Sequence, residues 1–338
     1  MKGLSLITII LLVLSGCDSA LRSKGVFPET PVSLSDVNSP YDDINSDLSG
    51  GMIGHKTELI FSTNRPNSSP NNSFQLALFN VSFSWDQKED ILIVGTSDPS
   101  PNFQTARFKT LKNLEFNSFS YSNQKGPYSF MGAPENLAMF FSRDVDGVYS
   151  IHVVTEKPVS AVDSREVSHF RIMNESANEM YPCFYGKEFI KGDLNGDGIP
   201  EKMLFSSDKD GQFDIYEVDI PSGMTPLEFL ADTSPKEVRK LSINTNSNDH
   251  MPFVLGEKLV FASDRPGGMG GYDLYYAKKT ADGWSSPINF GHPINSEFDE
   301  YRPVVSSAYW FLNNLMIFSS NRPGGKGGFD LYYVGVPK

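Results

Sequence analysis

Cysteine is nearly absent, with two in 338 residues, at positions 17 and 183. Two thiols build no disulfide framework, so the fold must hold by packing. Basic charge is also short: 29 Lys and Arg stand against 41 Asp and Glu, a net charge of −12. A phosphate-binding surface needs the opposite balance, so general nucleic-acid binding is disfavoured. No apolar run reaches the roughly 20 residues of a membrane-spanning helix. A Gly-x-Ser-x-Gly elbow and a His-Glu-x-x-His zinc motif are both missing. The five His, at 55, 152, 169, 250 and 292, are scattered and read as packing or surface residues rather than ligands.

What is present is a core-forming composition. Apolar residues make up 39% and charged residues 21%, with 25 Phe and 14 Tyr among many turn residues. That is too apolar and too weakly charged for a disordered chain. At about 150 residues per domain the length suggests two domains, although a single all-β domain often exceeds 200.

Residues 1–16 carry Lys2 and then an apolar stretch from Leu4 to Leu14, the layout of a secretory signal. It ends Leu14-Ser15-Gly16-Cys17, which resembles the lipobox of bacterial lipoproteins. The resemblance implies cleavage before Cys17 and a diacylglycerol thioether on its sulfur. Several acyl chains, at about 0.8 kcal/mol per buried methylene, would hold the chain at a membrane. Residues 17–30 are polar and turn-forming and read as a tether. Cys183 would then be a lone thiol, expected to be buried and inert.

The remainder, 31–338, is an internal repeat. Leu259-Val260-Phe261-Ala262-Ser263-Asp264-Arg265-Pro266-Gly267-Gly268 matches Met316-Ile317-Phe318-Ser319-Ser320-Asn321-Arg322-Pro323-Gly324-Gly325, and both continue to a Gly-Gly-aromatic-Asp-Leu-Tyr-Tyr. Weaker copies centre on Phe61, Phe141 and Phe205. Each copy is a short apolar strand, a turn of Asp or Asn with Pro and Gly, and a partner strand. Upstream, Asp299-Glu300-Tyr301-Arg302-Pro303 parallels Asn178–Pro182 and Asn248–Pro252, and Trp284–Phe290 supplies a fourth strand. Four antiparallel strands at a spacing of 64, 56 and 57 residues between the last four Phe anchors predict propeller blades, which must stack to bury both faces.

The motif closely resembles the WD40-like (PD40) repeat of TolB-type β-propellers, above all the versions in envelope proteins that carry an OmpA-like domain. The expected fold is therefore an all-β propeller of four-stranded antiparallel blades. Counting Ile91–Pro99 as a degraded copy gives six blades and rejecting it gives five; the TolB resemblance implies six, and six is favoured. The last blade lacks an outer strand, while residues 31–43 parallel 287–300. The N-terminal segment is expected to close the ring and remove an exposed edge.

Asp193-Leu194-Asn195-Gly196-Asp197-Gly198-Ile199-Pro200-Glu201 places oxygen ligands at positions 1, 3, 5 and 9 around a Gly, a spacing that suits Ca²⁺. It resembles the calcium loops of dockerins and FG-GAP propellers, and Leu204 departs from the bidentate Glu of an EF-hand. Asp193, Asn195, Asp197, the Ile199 carbonyl and Glu201 would hold a structural Ca²⁺. An Asn/Asp/Gly turn between two strands is the plain alternative. Arg265 with Asp273, and Arg322 with Asp330, flank equivalent turns. Because they recur, they read as bracing devices rather than an active site, with the Arg fork on carboxylate or backbone oxygen. Trp85, Trp284 and Trp310 could line a sugar site, with core packing as the default.

These features together suggest a lipid-anchored propeller of a bacterial cell envelope, the outer membrane favoured. The TolB resemblance implies a non-catalytic docking platform for an envelope protein or peptidoglycan-associated partner. A carbohydrate-binding lipoprotein is the alternative, and a propeller-fold polysaccharide lyase or glycosidase stands behind it.

Overall fold

A computed structural model describes residues 24–49, 57–66, 73–97, 122–132, 136–155, 168–173, 176–187, 189–191 and 199–338. The described residues form a five-bladed β-propeller. Blade 1 holds β2 (Asp43–Leu48), β3 (Thr57–Thr63), β4 (Gln75–Asp86) and β5 (Ile91–Ser97). Blade 2 holds β6 (Gln124–Gly132), β7 (Asn136–Val145), β8 (Val148–Thr155) and β9 (Ser168–Phe170). Blade 3 holds β10 (Glu179–Tyr185), β11 (Lys202–Ser207), β12 (Asp214–Asp219) and β13 (Val238–Lys240). Blade 4 holds β14 (Asp249–Leu255), β15 (Lys258–Ser263) and β16 (Asp273–Thr280), with β17 (Gly283–Trp284) and β18 (Ile288–Asn289) both on β16. Blade 5 holds β19 (Glu300–Ser306), β20 (Asn314–Ser320) and β21 (Asp330–Val336).

The outer strand of blade 5 comes from the other end of the chain. β1 (Val32–Ser33) pairs antiparallel with β21, Val32 opposite Tyr333. Leu34 N–H donates to the Leu331 carbonyl at 2.9 Å, and Asn38 and Leu331 exchange two further bonds at 2.9 Å. The inner strands β2, β6, β10, β14 and β19 pack in that cyclic order, and β19 returns to β2. The ring is thus closed by the N-terminal strand, as the parallel between residues 31–43 and 287–300 predicts.

Six blades are not formed. Ile91–Ser97, the segment that counted as a degraded sixth copy, is the outer strand of blade 1, with Trp85 opposite Leu92 and Asn80 opposite Ser97. A strand with alternating half-exposed side chains suits an outer position, whereas second strands such as Leu259–Ser263 are buried on both faces.

Two ends of the propeller follow from this topology. The head end carries the starts of the inner strands and the turns between second and third strands. The tail end carries the connectors between first and second strands. Helix α1 (Pro226–Ala231) lies between β12 and β13 and is capped by reciprocal bonds between Thr225 and Glu228.

Candidate functional site

The repeat residues hold blades together. In blade 5 the Arg322 guanidinium donates to Glu300 at 2.8 Å and to the Ile294 carbonyl at 2.5 Å. In blade 4 Arg265 pairs with Asp249 and reaches the Ile243 carbonyl at 3.1 Å. Blade 1 repeats this with Arg65, Asp43 and the Val37 carbonyl. The Arg therefore grips the acid that opens the inner strand and the connector before it. Asp273 and Asp330 hold the turn instead: Asp330 accepts from Lys326 and Gly327 N–H at 2.7 and 3.1 Å, and Asp273 from Met269 N–H at 2.5 Å. Arg265 and Arg322 each also lie over a cross-strand aromatic pair, Phe261–Tyr275 at 5.1 and 4.8 Å and Phe318–Tyr332 at 5.2 and 5.3 Å.

The first Ser of the motif links neighbouring blades. Ser319 Oγ accepts Asn45 N–H, Ser142 accepts Tyr181 N–H and Ser206 accepts Met251 N–H, all at 2.9–3.0 Å. Those three N–H groups belong to one equivalent position. Every inner strand is bulged there, and the residue has positive φ: Asn45 (55°), Gly126 (59°), Tyr181 (55°), Met251 (58°) and Arg302 (46°). Such a conformation costs a non-glycine residue about 1–3 kcal/mol, and here the bulge turns side chains across the propeller axis.

The axis is filled as a result. Arg302 is 0% exposed. Its guanidinium stacks on Tyr181 at 5.4 Å and donates to the Pro252 and Pro127 carbonyls at 3.1 and 3.3 Å. Asn45 donates to the Tyr181 hydroxyl at 3.3 Å. At Gly126 a Cβ would sit 2.2 Å from the Tyr181 ring, so glycine is required. Toward the tail, Asp47 accepts from Ser129 N–H and Oγ–H at 2.8 and 2.6 Å and from the Lys191 ammonium at 2.8 Å. Lys191 lies over the Tyr128 and Phe253 rings at 4.9 and 5.8 Å.

Burial lowers the Lys191 ammonium pKa, with Asp47 opposing. Burial, with Cys183 and Asp47 adding to it, raises the Tyr128 phenol well above its usual value, and burial pushes the Cys183 thiol up to about 11. Cys183 therefore stays a thiol, and its sulfur accepts Val254 N–H at 3.2 Å. Of the described residues meeting at the axis, Asp47 is the one carboxylate, and three donors occupy it. Glycosidic hydrolysis by two flanking carboxylates would need a second. The axial cluster packs and orients.

A cavity and a set of exposed aromatics lie on the tail end, at blades 4 and 5. A cavity of ≈ 300 Å³ opens between them, walled by Leu255, Val305 and Asn314 and edged by Lys258, Lys278, Lys279, Lys338 and Glu257. Beside it runs the connector from β19 to β20. There Tyr309 is 61%, Trp310 46% and Leu312 63% exposed. Tyr309 and Trp310 meet edge to face with centroids 5.0 Å apart. Phe311 points inward and stacks on Phe27 at 4.0 Å, which fixes the connector on the core. Lys338 joins cavity and connector, donating to the Ala308 and Phe311 carbonyls at 3.1 and 2.7 Å. Exposed aromatics on an anchored loop beside a cavity make this edge the candidate ligand site.

Of the residues singled out from sequence, Cys17, Asp193, Asn195 and Asp197 lie outside the described residues. Ile199 is exposed, and Glu201 accepts Lys187 N–H at 3.4 Å. Among the tryptophans, Trp284 is buried and Trp310 exposed. Asp47 and Lys191 gave no sequence signal because they come from separate blades. The cavity's lysines gave none because Lys258 and Lys278 meet only across the pairing of β15 with β16, and Lys338 reaches them from the far end of blade 5. Arg302 did carry one, as the residue before Pro303 in the recurrent inner-strand pattern.

Among solved structures, the chain is similar to α-L-arabinofuranosidase from Lactobacillus brevis (TM-score 0.49, 9% identity, 90% of this chain and 94% of that one). It is similar to endo-arabinase from Bacteroides thetaiotaomicron (0.47, 12%, 94% and 98%) and to TolB from Acinetobacter baumannii (0.34, 11%, 82% and 51%). Neither a family model nor a curated protein matches the chain. At such identities the likeness is one of fold. The expectation of a non-catalytic docking platform, and with it that of a chain that is no enzyme, is withdrawn, because the fold it rested on is shared by glycoside hydrolases as well as by TolB. The physical reason lies in the repeat. The residues that carried the TolB resemblance are occupied in joining blades, and a propeller's function sits in its loops.

Proposed function

We propose that this chain acts on carbohydrate and that a glycan lies along the Tyr309–Trp310 edge of the tail end. The observation that carries this reading is the exposed, edge-to-face aromatic pair on a connector pinned by Phe311. Rigid aromatic rings offer sugar C–H faces a large apolar contact at little entropic cost, and their polar tips add hydrogen bonds. The neighbouring cavity gives such a ligand a second point of attachment.

The reading includes PD40-type repeats, a lipid anchor at Cys17 in a bacterial envelope and a structural Ca²⁺ on Asp193, Asn195, Asp197, Ile199 and Glu201. The calcium is tested by melting with EDTA: a lower midpoint that added Ca²⁺ restores supports it, and an unchanged midpoint removes it. The glycan site is tested by titrating a panel of neutral and acidic oligosaccharides while following tryptophan emission. A saturable change that Trp310→Ala and Tyr309→Ala abolish supports the reading. No saturable response to any oligosaccharide at millimolar concentration would overturn it.

A further inference from the structure

The cavity between blades 4 and 5 has a charge opposite to that of the whole chain. The protein carries a net −12, yet Lys258, Lys278, Lys279 and Lys338 all border one space of ≈ 300 Å³. Among the described residues none of the four forms an ion pair with a carboxylate, although Glu257 shares the rim. Their fixed contacts are neutral. Lys258 donates to the Pro337 carbonyl and Lys338 donates to the Ala308 and Phe311 carbonyls, whereas the Lys279 ammonium lies over Trp284 and Tyr185 at 4.7 and 5.3 Å, turned toward blade 3, so that Lys258, Lys278 and Lys338 are the cavity's cations. Carbonyls and ring faces orient an ammonium without cancelling its charge. Glu257 stands on the same rim, and Glu217, Asp219 and Glu201 act on Lys279 from a distance. Among the described residues, however, no carboxylate pairs with the facing Lys258 and Lys278, and a bound anion relieves the repulsion between those two like cations.

We infer that this cavity is an anion subsite, which takes the carboxylate or sulfate group of an acidic sugar. The acidic-sugar assignment rests on the glycan reading of the Tyr309–Trp310 edge; the anion site itself does not. Leu255 and Val305 supply apolar walls, so the site combines a ring-sized apolar surface with a cationic rim. Its volume falls at the lower bound of the ~300–1,000 Å³ usual for small-ligand sites. Burial and the neighbouring Lys278 both lower the Lys258 ammonium pKa, as expected where cations await an anion. Lysine ammoniums are point charges that impose no planar fork, so they suit a tetrahedral sulfate as well as a carboxylate.

The probes are inorganic sulfate, D-glucuronate and D-glucose, titrated by NMR and calorimetry into the folded protein at low ionic strength. Sulfate and glucuronate are expected to bind, and glucose to bind at least about tenfold more weakly, a difference of one decade in Kd. Rising salt should weaken both anions, because exposed charges are screened over ~10 Å at 0.1 M. Lys258→Gln and Lys278→Gln should each weaken anion binding about tenfold while leaving the melting midpoint near that of the parent. Sulfate binding that Lys258→Gln weakens about tenfold, with no oligosaccharide bound, would keep the anion site and sink the glycan reading. Neutral glycans bound as tightly as acidic ones, with the lysine variants unaffected, would keep the glycan reading and overturn the anion site. No response to sulfate or glucuronate would also overturn it.

Discussion

Asp299 and Asn321 pair head to tail: Asp299 N–H donates to Asn321 Oδ1 at 2.8 Å, and Asn321 Nδ2–H donates to Asp299 Oδ2 at 3.2 Å. In blade 4 the same two positions hold Asn248 and Asp264, with the residue types exchanged and bonds of 2.7 and 2.8 Å. Blade 3 has Asn178 with Asp208, and blade 1 has Asp42 with Asn64. The two-letter freedom of the motif, Asp or Asn before Arg, is thus the visible half of a complementary pair. One partner must donate and the other accept, and either order serves.

Asn321→Asp should therefore place two carboxylates against each other and remove the donor. A loss of about 1–3 kcal/mol is expected, the cost of an unsatisfied and repelled polar group. The exchange Asp299→Asn with Asn321→Asp should recover most of it, and denaturant melts of the four proteins give the coupling. Additive losses in the double variant would count against complementarity.

Ring closure makes the N-terminal segment a structural part of the last blade. Phe27, Leu34 and Val37 are buried, and Phe27 stacks on Phe311 and meets Phe83 edge to face. Deleting residues 24–40 exposes those contacts and the edge of β21. At about 1.5–3 kcal/mol per buried apolar side chain, the expected loss is about 5 kcal/mol. A thermal scan should show a large fall in the melting midpoint and, because the edge is open, aggregation.

Asp47 and Lys191 form an ion pair almost shut off from water. Asp47→Asn should destabilise the protein by about 3–5 kcal/mol, since it leaves the ammonium buried and uncompensated. Asp47→Asn with Lys191→Met removes the orphan charge and should be milder than the single variant. Chemical denaturation of the three proteins checks the order.

His250 packs on Phe213 at 4.2 Å and edge-on to Tyr181 at 4.9 Å. Burial lowers its pKa to about 3, as it does for His152, also to about 3. The folded state therefore resists a proton that the unfolded chain accepts near 6.5. Between about pH 6.5 and 3 the unfolded state binds more protons, so stability is complete above that window and falls as pH drops through it. Each fully resisted proton contributes about 1.4 kcal/mol per pH unit. His250→Phe should flatten this acid slope in urea melts at pH 7, 6, 5 and 4; an unchanged slope would sink the assignment.

The sequence alone determined the blade. A tandem repeat writes the same short-range pattern several times, so the apolar second strand, its Pro-Gly turn and its partner strand are legible from residues 259–276 and 316–333. The N-terminal closing strand was legible for the same reason, since residues 31–43 carry the blade pattern found at 287–300. Tertiary structure decided what depends on distant segments. Ile91–Ser97 looked like a copy but pairs as an outer strand, and five blades close a ring that spacing alone left at five or six. Arg265 and Arg322 stand near Asp273 and Asp330 in sequence but grip Asp249 and Glu300, because the bulged inner strand brings those acids beneath the turn. The axial group of Asp47, Tyr181, Lys191 and Arg302 and the lysine-rimmed cavity exist only once blades meet. Periodicity reports which face of a strand is buried; it does not report which residues of other strands share that interior.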